Sequence, residues 1–188
     1  LNNRIYTLAQ TYLEKEGWFN NRPLDAQGFT PWYTYPAITF IKDIVTKKTK
    51  VFEYGSGYST LYFNSCAGEC HSVEHDPQWA AVLINSNPTM DIALCREQEP
   101  VPDYAKDLIE TFQDQNFNLP LSPHRDHNIQ HGLLNIEFSK YASHITCWEK
   151  GYFDLIVVDG MARVLCGFIA AHYIAQDGYI ILDNSDRW

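Results

Sequence analysis

An acidic residue followed by two closely spaced glycines is the feature of this sequence with the most chemical content. Residues 51–60 read VFEYGSGYST, so Glu53, Gly55 and Gly57 follow an apolar run that predicts a strand. Glycines let the backbone turn sharply and approach a ligand closely. The helix expected after them supplies unpaired N–H groups at its first turn. The pattern therefore predicts a loop that binds a nucleotide-like cofactor.

The spacing of the glycines argues against one common class of cofactor loop. The dinucleotide-binding fingerprint has a third glycine three residues after the second, but position 60 is a threonine. An acidic residue instead lies two positions before Gly55. A nucleotide-dependent oxidoreductase remains an alternative function, although the sequence lacks one of the glycines of the dinucleotide-binding fingerprint.

A second acidic residue ends the next predicted strand. Glu74 lies 21 residues after Glu53, in the segment VEHDP at 73–77. A carboxylate there can accept hydrogen bonds from both hydroxyls of a ribose, and His75 would then lie beside the adenosine. The alternative is that Glu74 is only a charge near a helix start, for which Asp76 is the better capping candidate.

Two later strand patterns also end in polar residues. The apolar run FDLIVV is followed by Asp159, and the run YIIL is followed by Asp183 and Asn184. Open α/β sheets bind ligands beyond the carboxyl ends of their strands. We therefore expect Asp159 and Asp183 to be catalytic residues, whereas Asp154, at the start of its strand, is expected to be structural.

These motifs resemble those of the class I (Rossmann-like) methyltransferases, which use S-adenosylmethionine, over about residues 30–95 and 150–188. The resemblance implies that the acidic residue before the glycines helps to hold the methionine end of the cofactor. It implies that Glu74 grips the ribose and that Asp159 faces the methyl-donating region. The cofactor-binding residues implied are Glu53, Gly55, Ser56, Gly57, Ser59, Thr60, Glu74, His75 and Asp159.

A weaker likeness is to the metal-dependent, catechol-type O-methyltransferases. In that family an Asp after strand four and an Asp-Asn pair after strand five hold a divalent cation, which implies an Mg²⁺ site at Asp159, Asp183 and Asn184. Oxygen ligands suit this hard ion, which would lower the pKa of a substrate hydroxyl. The alternative is that Asp183 and Asn184 turn the chain or contact the substrate directly.

Three residues are expected to contact the substrate, namely Tyr35, Arg163 and Asn184. The catechol-type lysine near Asp159 is missing, and Arg163 stands four residues after that aspartate. Arg163 could hold a substrate carboxylate or pair with Asp159 or Asp183.

Aromatic residues precede the helix that leads into the first strand. In the resembling family, residues placed like Trp32, Tyr33 and Tyr35 border the cofactor pocket. The alternative is an aromatic lid packed over the core. A separate set of histidines, His124, His127 and His131, has a spacing that on a helix could bind a metal ion, although Pro123 favours a loop.

Predicted strands and helices alternate along the chain. Strands are expected at 51–54, 71–74, 91–94, 153–158 and 179–182, and helices at 2–16, 36–48, 59–66, 77–85, 104–112, 133–147 and 163–176. This alternation predicts an α/β fold with a doubly wound, mainly parallel sheet and helices on both faces. Since the sheet of the resembling family continues past strand five, we expect the later elements to be absent or the chain to be truncated.

The whole chain, 1–188, is expected to form a single methyltransferase-like domain. Its parts are N-terminal helices with an aromatic loop at 1–49, the cofactor-binding half at 50–97, an insertion covering part of the site at 98–132, and a second half at 133–188.

The amino-acid composition limits the kinds of partner that we expect this protein to bind. A net charge of −9 repels phosphate backbones, so we expect no nucleic-acid partner. No apolar run approaches the roughly 20 residues of a membrane span, and the first residues do not begin a signal peptide. The five cysteines match no zinc-binding spacing and are expected to be reduced thiols of a cytoplasmic protein.

Together these features predict S-adenosylmethionine-dependent methyl transfer to the hydroxyl of a small molecule or sugar. Most of the acceleration would come from positioning the two reactants for in-line transfer. Two further alternatives stay open. One is an aminopropyltransferase-like enzyme with an acidic amine pocket at Asp159 and Asp183; the other is a non-catalytic nucleoside-binding module. Neither the acceptor nor the oligomeric state follows from the sequence.

Overall fold

The computed structural model describes residues 31–114 and 136–183, which are organised around one five-stranded sheet. The strands are β1 (Lys50–Tyr54), β2 (Glu69–Glu74), β3 (Asp91–Leu94), β4 (Phe153–Val158) and β5 (Ile174–Leu182). The α-helices are α1 (Tyr35–Ile44), α2 (Tyr58–Cys66), α3 (Pro77–Ser86), α4 (Lys106–Gln113), α5 (Ser139–Ser143) and α6 (Arg163–Tyr173). Short 3₁₀ turns occupy Asp103–Ala105, Ile136–Phe138 and His144–Cys147.

The sheet is doubly wound, as the sequence predicts. Its strand order is β3-β2-β1-β4-β5, and every neighbouring pair is parallel. The chain moves outward from β1 to β3 and then returns to place β4 on the other side of β1. The switch point between β1 and β4 is where open α/β sheets form a ligand crevice.

Alternation along the central strands explains why helices cover both faces. Val51 of β1 packs with α1 and α2, while its neighbour Phe52 packs on the opposite face with α4, α5 and α6. Leu155 and Ile156 of β4 divide between the same two faces. Strands buried on both sides are expected in a parallel sheet, and the crevice therefore rests on a rigid base.

The predicted boundary between the last helix and the last strand is wrong. The helix expected over 163–176 ends at Tyr173, and β5 begins at Ile174. Gly178 suggested a helix stop, but it lies inside β5, where an added Cβ would be 2.8 Å from the carbonyl oxygen of Asp154. The glycine is there because two strands approach closely.

The single helix expected over 133–147 is also wrong in its described part. From Ile136 onward the chain forms a 3₁₀ turn, the short helix α5 and a second 3₁₀ turn. The hydroxyls of Ser139, Ser143 and Thr146 each donate to the carbonyl three residues earlier. Such side-chain bonds compete with regular helical pairing.

The described part of the predicted insertion is packed into the core. Ile109 and Phe112 of α4 are buried, and Phe112 lies against Phe168 of α6. No disulfide joins any of the five cysteines, all of which lie in the described ranges. Within 31–114 and 136–183, none of the helices has the length and apolar character needed to cross a bilayer. The helix predicted over 2–16 lies outside the described residues.

Candidate functional site

The glycine-rich loop turns directly after β1, at the switch point of the sheet. Gly55 has a φ of +92°, a left-handed conformation that favours glycine. A Cβ added to Gly55 would lie 2.7 Å from the Cα of Gly160. The loops that follow β1 and β4 therefore touch, and the Gly57 N–H then donates to Thr60 Oγ1 at 2.7 Å to begin α2.

Glu53 lies beneath this loop. It is fully buried, and its Oε1 accepts hydrogen bonds from the hydroxyls of Ser59 and, at 3.2 Å, of Tyr33. Its Oε2 accepts from the Thr60 hydroxyl at 2.5 Å. Burial raises the pKa of Glu53 to about 7, although the three hydroxyls oppose that shift. Glu53 therefore ties the loop to the segment before α1, and its contact with the cofactor stays a prediction.

A cavity of about 670 Å³ opens at the switch point, a volume typical of small-molecule sites. Eight of the predicted site residues line it: Gly55, Ser56, Gly57, Ser59, Glu74, His75, Asp159 and Arg163. Trp32, which the resemblance places at the border of the pocket, also lines the cavity, and five further residues complete the described lining: Tyr58, Asp76, Trp79, Gly160 and Met161. Glu53 and Thr60 are buried behind this wall.

Glu74 ends β2 on one side of the cavity. Its Oε2 accepts the Ser56 N–H at 3.0 Å, and its Oε1 accepts the N–H groups of His75 and Asp76, each at 2.8 Å. Burial raises the pKa of Glu74, but the His75 side chain and the backbone donors outweigh it and lower the pKa below its usual value. Near neutral pH the carboxylate is therefore a fixed acceptor.

His75 lies against this carboxylate. Its Nδ1 is 2.7 Å from Glu74 Oε1, although the contact lacks the geometry of a hydrogen bond. The neighbouring carboxylate raises the pKa of His75, against the effect of burial. The ring therefore carries a positive charge to higher pH than an ordinary histidine.

The helix after Glu74 adds one wall residue that the sequence analysis missed. Asp76 caps α3 as predicted, accepting the N–H groups of Gln78 and Trp79 at 2.8 and 3.2 Å. The Trp79 side chain then turns back, and its Nε1 donates to the Ser56 carbonyl at 2.7 Å. In the sequence, Trp79 could have been identified from its position in the first turn of the helix that follows a strand-end acidic residue.

Asp159 lines the other side of the cavity, and Asp183, the other residue predicted to be catalytic, lies beside it without lining the cavity. Their N–H groups donate to the carbonyls of Tyr54 and Val158, at 3.0 and 3.1 Å, which fixes both strand ends side by side. Burial first, and then the Asp183 carboxyl, raise the pKa of Asp159 to about 8, while Arg163 lowers it. The Asp159 carboxyl therefore holds its proton to higher pH than an ordinary aspartate does.

Arg163 spans these two strand ends. Its Nη2 donates to Asp159 Oδ1 at 3.0 Å and to the Asp159 carbonyl at 3.2 Å. Its Nη1 donates to the Asp183 carbonyl at 2.5 Å, and its Nε to the Gly160 carbonyl at 3.0 Å. Of the two roles considered from sequence, the structure shows the pairing with the aspartates.

The described donor set does not fit the Mg²⁺ site that the weaker likeness implies. No group of three or more His, Cys, Asp or Glu side chains in 31–114 and 136–183 could hold a metal ion. Arg163 already places a cation 3.0 Å from Asp159 and 3.9 Å from Asp183. Asn184, the third predicted ligand, lies outside the described residues. We therefore assign no step of the chemistry to a metal ion.

Other predictions also fall outside the described part of the structure. They concern the substrate contacts of Asn184 and of the Tyr35 side chain, and the histidines at 124, 127 and 131. Tyr141 was not among the residues predicted from sequence, and it lies behind Gly160 of the cavity wall. This residue is fully buried, its hydroxyl has no hydrogen-bond partner among the described residues, and a Cβ on Gly160 would overlap that hydroxyl.

Comparison with known proteins gave one structural likeness. No protein-family model matches the chain, and no curated protein matches it. The described fold is similar to the crystal structure of a methyltransferase-like protein from Silicibacter pomeroyi, with a TM-score of 0.48 and 21% sequence identity. The likeness covers 85% of this chain and 76% of that one.

Proposed function

We propose that the protein binds S-adenosylmethionine at the switch point and transfers its methyl group to a hydroxyl of a small-molecule acceptor. The observation that carries this proposal is the cavity itself. It brings together the glycine-rich loop after β1, the fixed Glu74 carboxylate after β2 and the Asp159 carboxyl after β4. These three groups come from adjacent strands, so one extended ligand can contact all of them.

The cofactor half of the cavity lies over β1 and β2. The Glu74 carboxylate is held by three backbone N–H groups and lines the cavity, which suits it to accept hydrogen bonds from ribose hydroxyls. His75, Asp76 and Trp79 form the adjoining wall, where the base would lie. Gly55 and Gly57 leave room for the backbone to approach the remainder of the cofactor.

The cofactor would supply an electrophilic methyl group on a sulfonium. The chain's own contribution is to position an acceptor hydroxyl beside Asp159 and to receive its proton. The form of Asp159 that accepts the proton is the ionised carboxylate, whose population grows as the pH rises through about 8. The raised pKa of Asp159 places this acceptor close to working pH, where a general base is most effective.

The first test is calorimetric titration with S-adenosylhomocysteine, the product form of the cofactor, and with NAD for comparison. We expect saturable binding of S-adenosylhomocysteine alone. Glu74→Gln should weaken this binding by about 1–3 kcal/mol, because it removes a charged acceptor, which is roughly five- to 150-fold in Kd.

Glu69→Gln is the matched control for this titration. Glu69 begins the same strand that Glu74 ends, and it accepts a hydrogen bond from Tyr152 away from the cavity. This variant should leave the affinity unchanged. Binding of NAD in preference to S-adenosylhomocysteine would contradict the proposed cofactor. Equal losses in the two variants would remove Glu74 from the ribose site.

A further inference from the structure

Part of the cavity wall has no role in the proposed cofactor contacts. This part is a pair of aromatic rings, Trp32 and Tyr58, whose planes are within 5° of parallel and whose centroids are 6.1 Å apart. Both rings line the cavity, and 53% of Trp32 and 38% of Tyr58 is exposed. Large aromatic surface exposed beside a cavity commonly marks a binding surface.

The neighbours of Trp32 hold its ring at this wall. Pro31 and Tyr33 are both buried, so the exposure of the residue between them is set by the packing of the segment. The Tyr33 hydroxyl donates to Glu53, which fixes the segment beside the end of β1. The wall is therefore anchored to the same carboxyl that holds the glycine-rich loop.

The next helix shows which side of the cavity the wall borders. α1 begins three residues after Trp32 and packs over β1 and β4, and its Phe40 lies edge-on to Tyr179 of β5 at 5.0 Å. The segment that leads into α1 thus lies on the β4–β5 side of the loop, whereas Glu74 lies on the β2 side. We therefore assign the aromatic wall to the acceptor, beside Asp159, and not to the proposed ribose site.

The charges on this side favour a neutral ligand. Asp159 and Asp183 are already neutralised in part by the Arg163 guanidinium, which lies 3.0 Å from one and 3.9 Å from the other. A cationic amine placed at Asp159 would meet that guanidinium at close range. A hydroxyl meets no such repulsion, and it can donate to a carboxylate oxygen.

We propose that the acceptor is a neutral, ring-shaped polyol, a sugar, whose apolar ring face lies on the Trp32–Tyr58 wall while its hydroxyls donate to Asp159. This assignment rests on the proposed methyl transfer. In the reaction the acceptor oxygen forms a bond to the methyl carbon as the carbon–sulfur bond breaks. The sulfur keeps the electron pair and becomes a neutral thioether, and the hydroxyl proton passes to the ionised Asp159 carboxylate.

Saturation-transfer difference NMR in the presence of S-adenosylhomocysteine tests this proposal. The probes are a mixture of the methyl pyranosides of glucose, galactose, mannose and rhamnose, with putrescine as the cationic comparison. We expect saturation of the C–H protons on one face of a pyranoside ring and no signal from putrescine. Trp32→Ala should weaken the pyranoside signal roughly threefold to tenfold, the usual effect of losing an aromatic contact. Trp32→Phe should retain most of it.

Tyr104→Ala provides the control for the loss of an exposed aromatic ring. Tyr104 is 66% exposed and does not line the cavity, so its removal should leave the pyranoside signal unchanged. A putrescine signal, the absence of any pyranoside signal, or a pyranoside signal unaffected by Trp32→Ala would each overturn the proposal. If calorimetry still shows S-adenosylhomocysteine binding, only the acceptor assignment fails; if that binding is absent, the proposed function fails first.

Discussion

The Glu53 carboxyl combines complete burial with three hydroxyl donors, and these have opposite effects on its charge. The hydroxyls of Tyr33, Ser59 and Thr60 favour the ionised form, while removal from water favours the neutral form. Burial dominates and raises the pKa from 4.5 to about 7. The folded protein therefore holds this proton more tightly than the unfolded chain does.

This difference predicts a pH dependence of stability. The contribution of Glu53 is complete below about pH 4.5 and is lost as the pH rises through about 7. Relative to Glu53→Gln, we expect the wild-type free energy of unfolding to fall by up to about 3 kcal/mol across that interval. Urea unfolding at both ends of the interval measures it. Tyr33→Phe keeps the carboxyl and removes a donor that lowers its pKa, so the decline should remain and extend to higher pH, whereas an equal slope in Glu53→Gln would contradict the assignment.

For single residues, the sequence predicts which side chains lie near the candidate site but not which atoms each side chain contacts. Glu53 and Glu74 are both strand-end acids, and the resemblance to the class I methyltransferases implies a cofactor contact for both. Only Glu74 lines the cavity, because Tyr33, 20 residues before Glu53, folds back to cover the latter. A contact over that separation depends on the packing of α1, which local patterns do not contain.

At the scale of elements, the important feature is the contact between the turn after β1 and the turn after β4. Gly55 and Gly160 follow β1 and β4 and leave no room between them for a side chain. Ala162, two residues after Gly160, has a φ of +48°, which is unusual for a residue other than glycine. The chain thus accepts local backbone strain where it passes from β4 into α6 beside the cavity.

Gly160→Ala should therefore disturb the site and the fold together. The new Cβ would lie 2.9 Å from the Gly55 nitrogen and would overlap the Tyr141 hydroxyl. We expect a loss of about 1–3 kcal/mol in the free energy of unfolding, the usual cost of overpacking. Gly167→Ala is the matched control, because a Cβ there meets nothing within 4 Å in α6. It should stabilise the protein by about 0.5–1 kcal/mol, and urea unfolding of both variants checks the contrast.

The predicted boundaries of an element match the structure where local sequence defines them and fail where packing between distant segments does. The boundaries of β3 and β4 match the sequence patterns at 91–94 and 153–158, because an apolar run bounded by polar residues defines them locally. The end of α6 was misplaced because Gly178 was interpreted as a helix stop. Its actual constraint is the nearby Asp154 carbonyl on β4, which is visible only once the strands are paired.

For the whole molecule, the strand order is what converts separate motifs into one site. The residues that follow β1, β2 and β4 lie far apart in the chain but meet at one edge of the sheet. The alternation of strands and helices predicts a parallel sheet with such an edge. It does not specify that Arg163 bridges the ends of β4 and β5, or that Trp32 closes the same cavity, since both depend on how distant elements pack.

A ligand that contacts all these elements should stabilise the entire fold. S-adenosylhomocysteine at about one hundred times its Kd should raise the free energy of unfolding by about 2.7 kcal/mol, because it binds only the folded state. For a chain of 188 residues that corresponds to an increase in Tm of about 5–10 °C. Thermal unfolding by circular dichroism measures it, with Glu74→Gln at the same ligand concentration as the comparison. The increase should be smaller in that variant, because it lacks the charged ribose contact. It should be absent with NAD, because NAD is not the proposed cofactor. An equal increase with NAD would mean that the cavity binds nucleosides in general and does not recognise the methionine end of the cofactor. That result would contradict the proposal that S-adenosylmethionine is the cofactor.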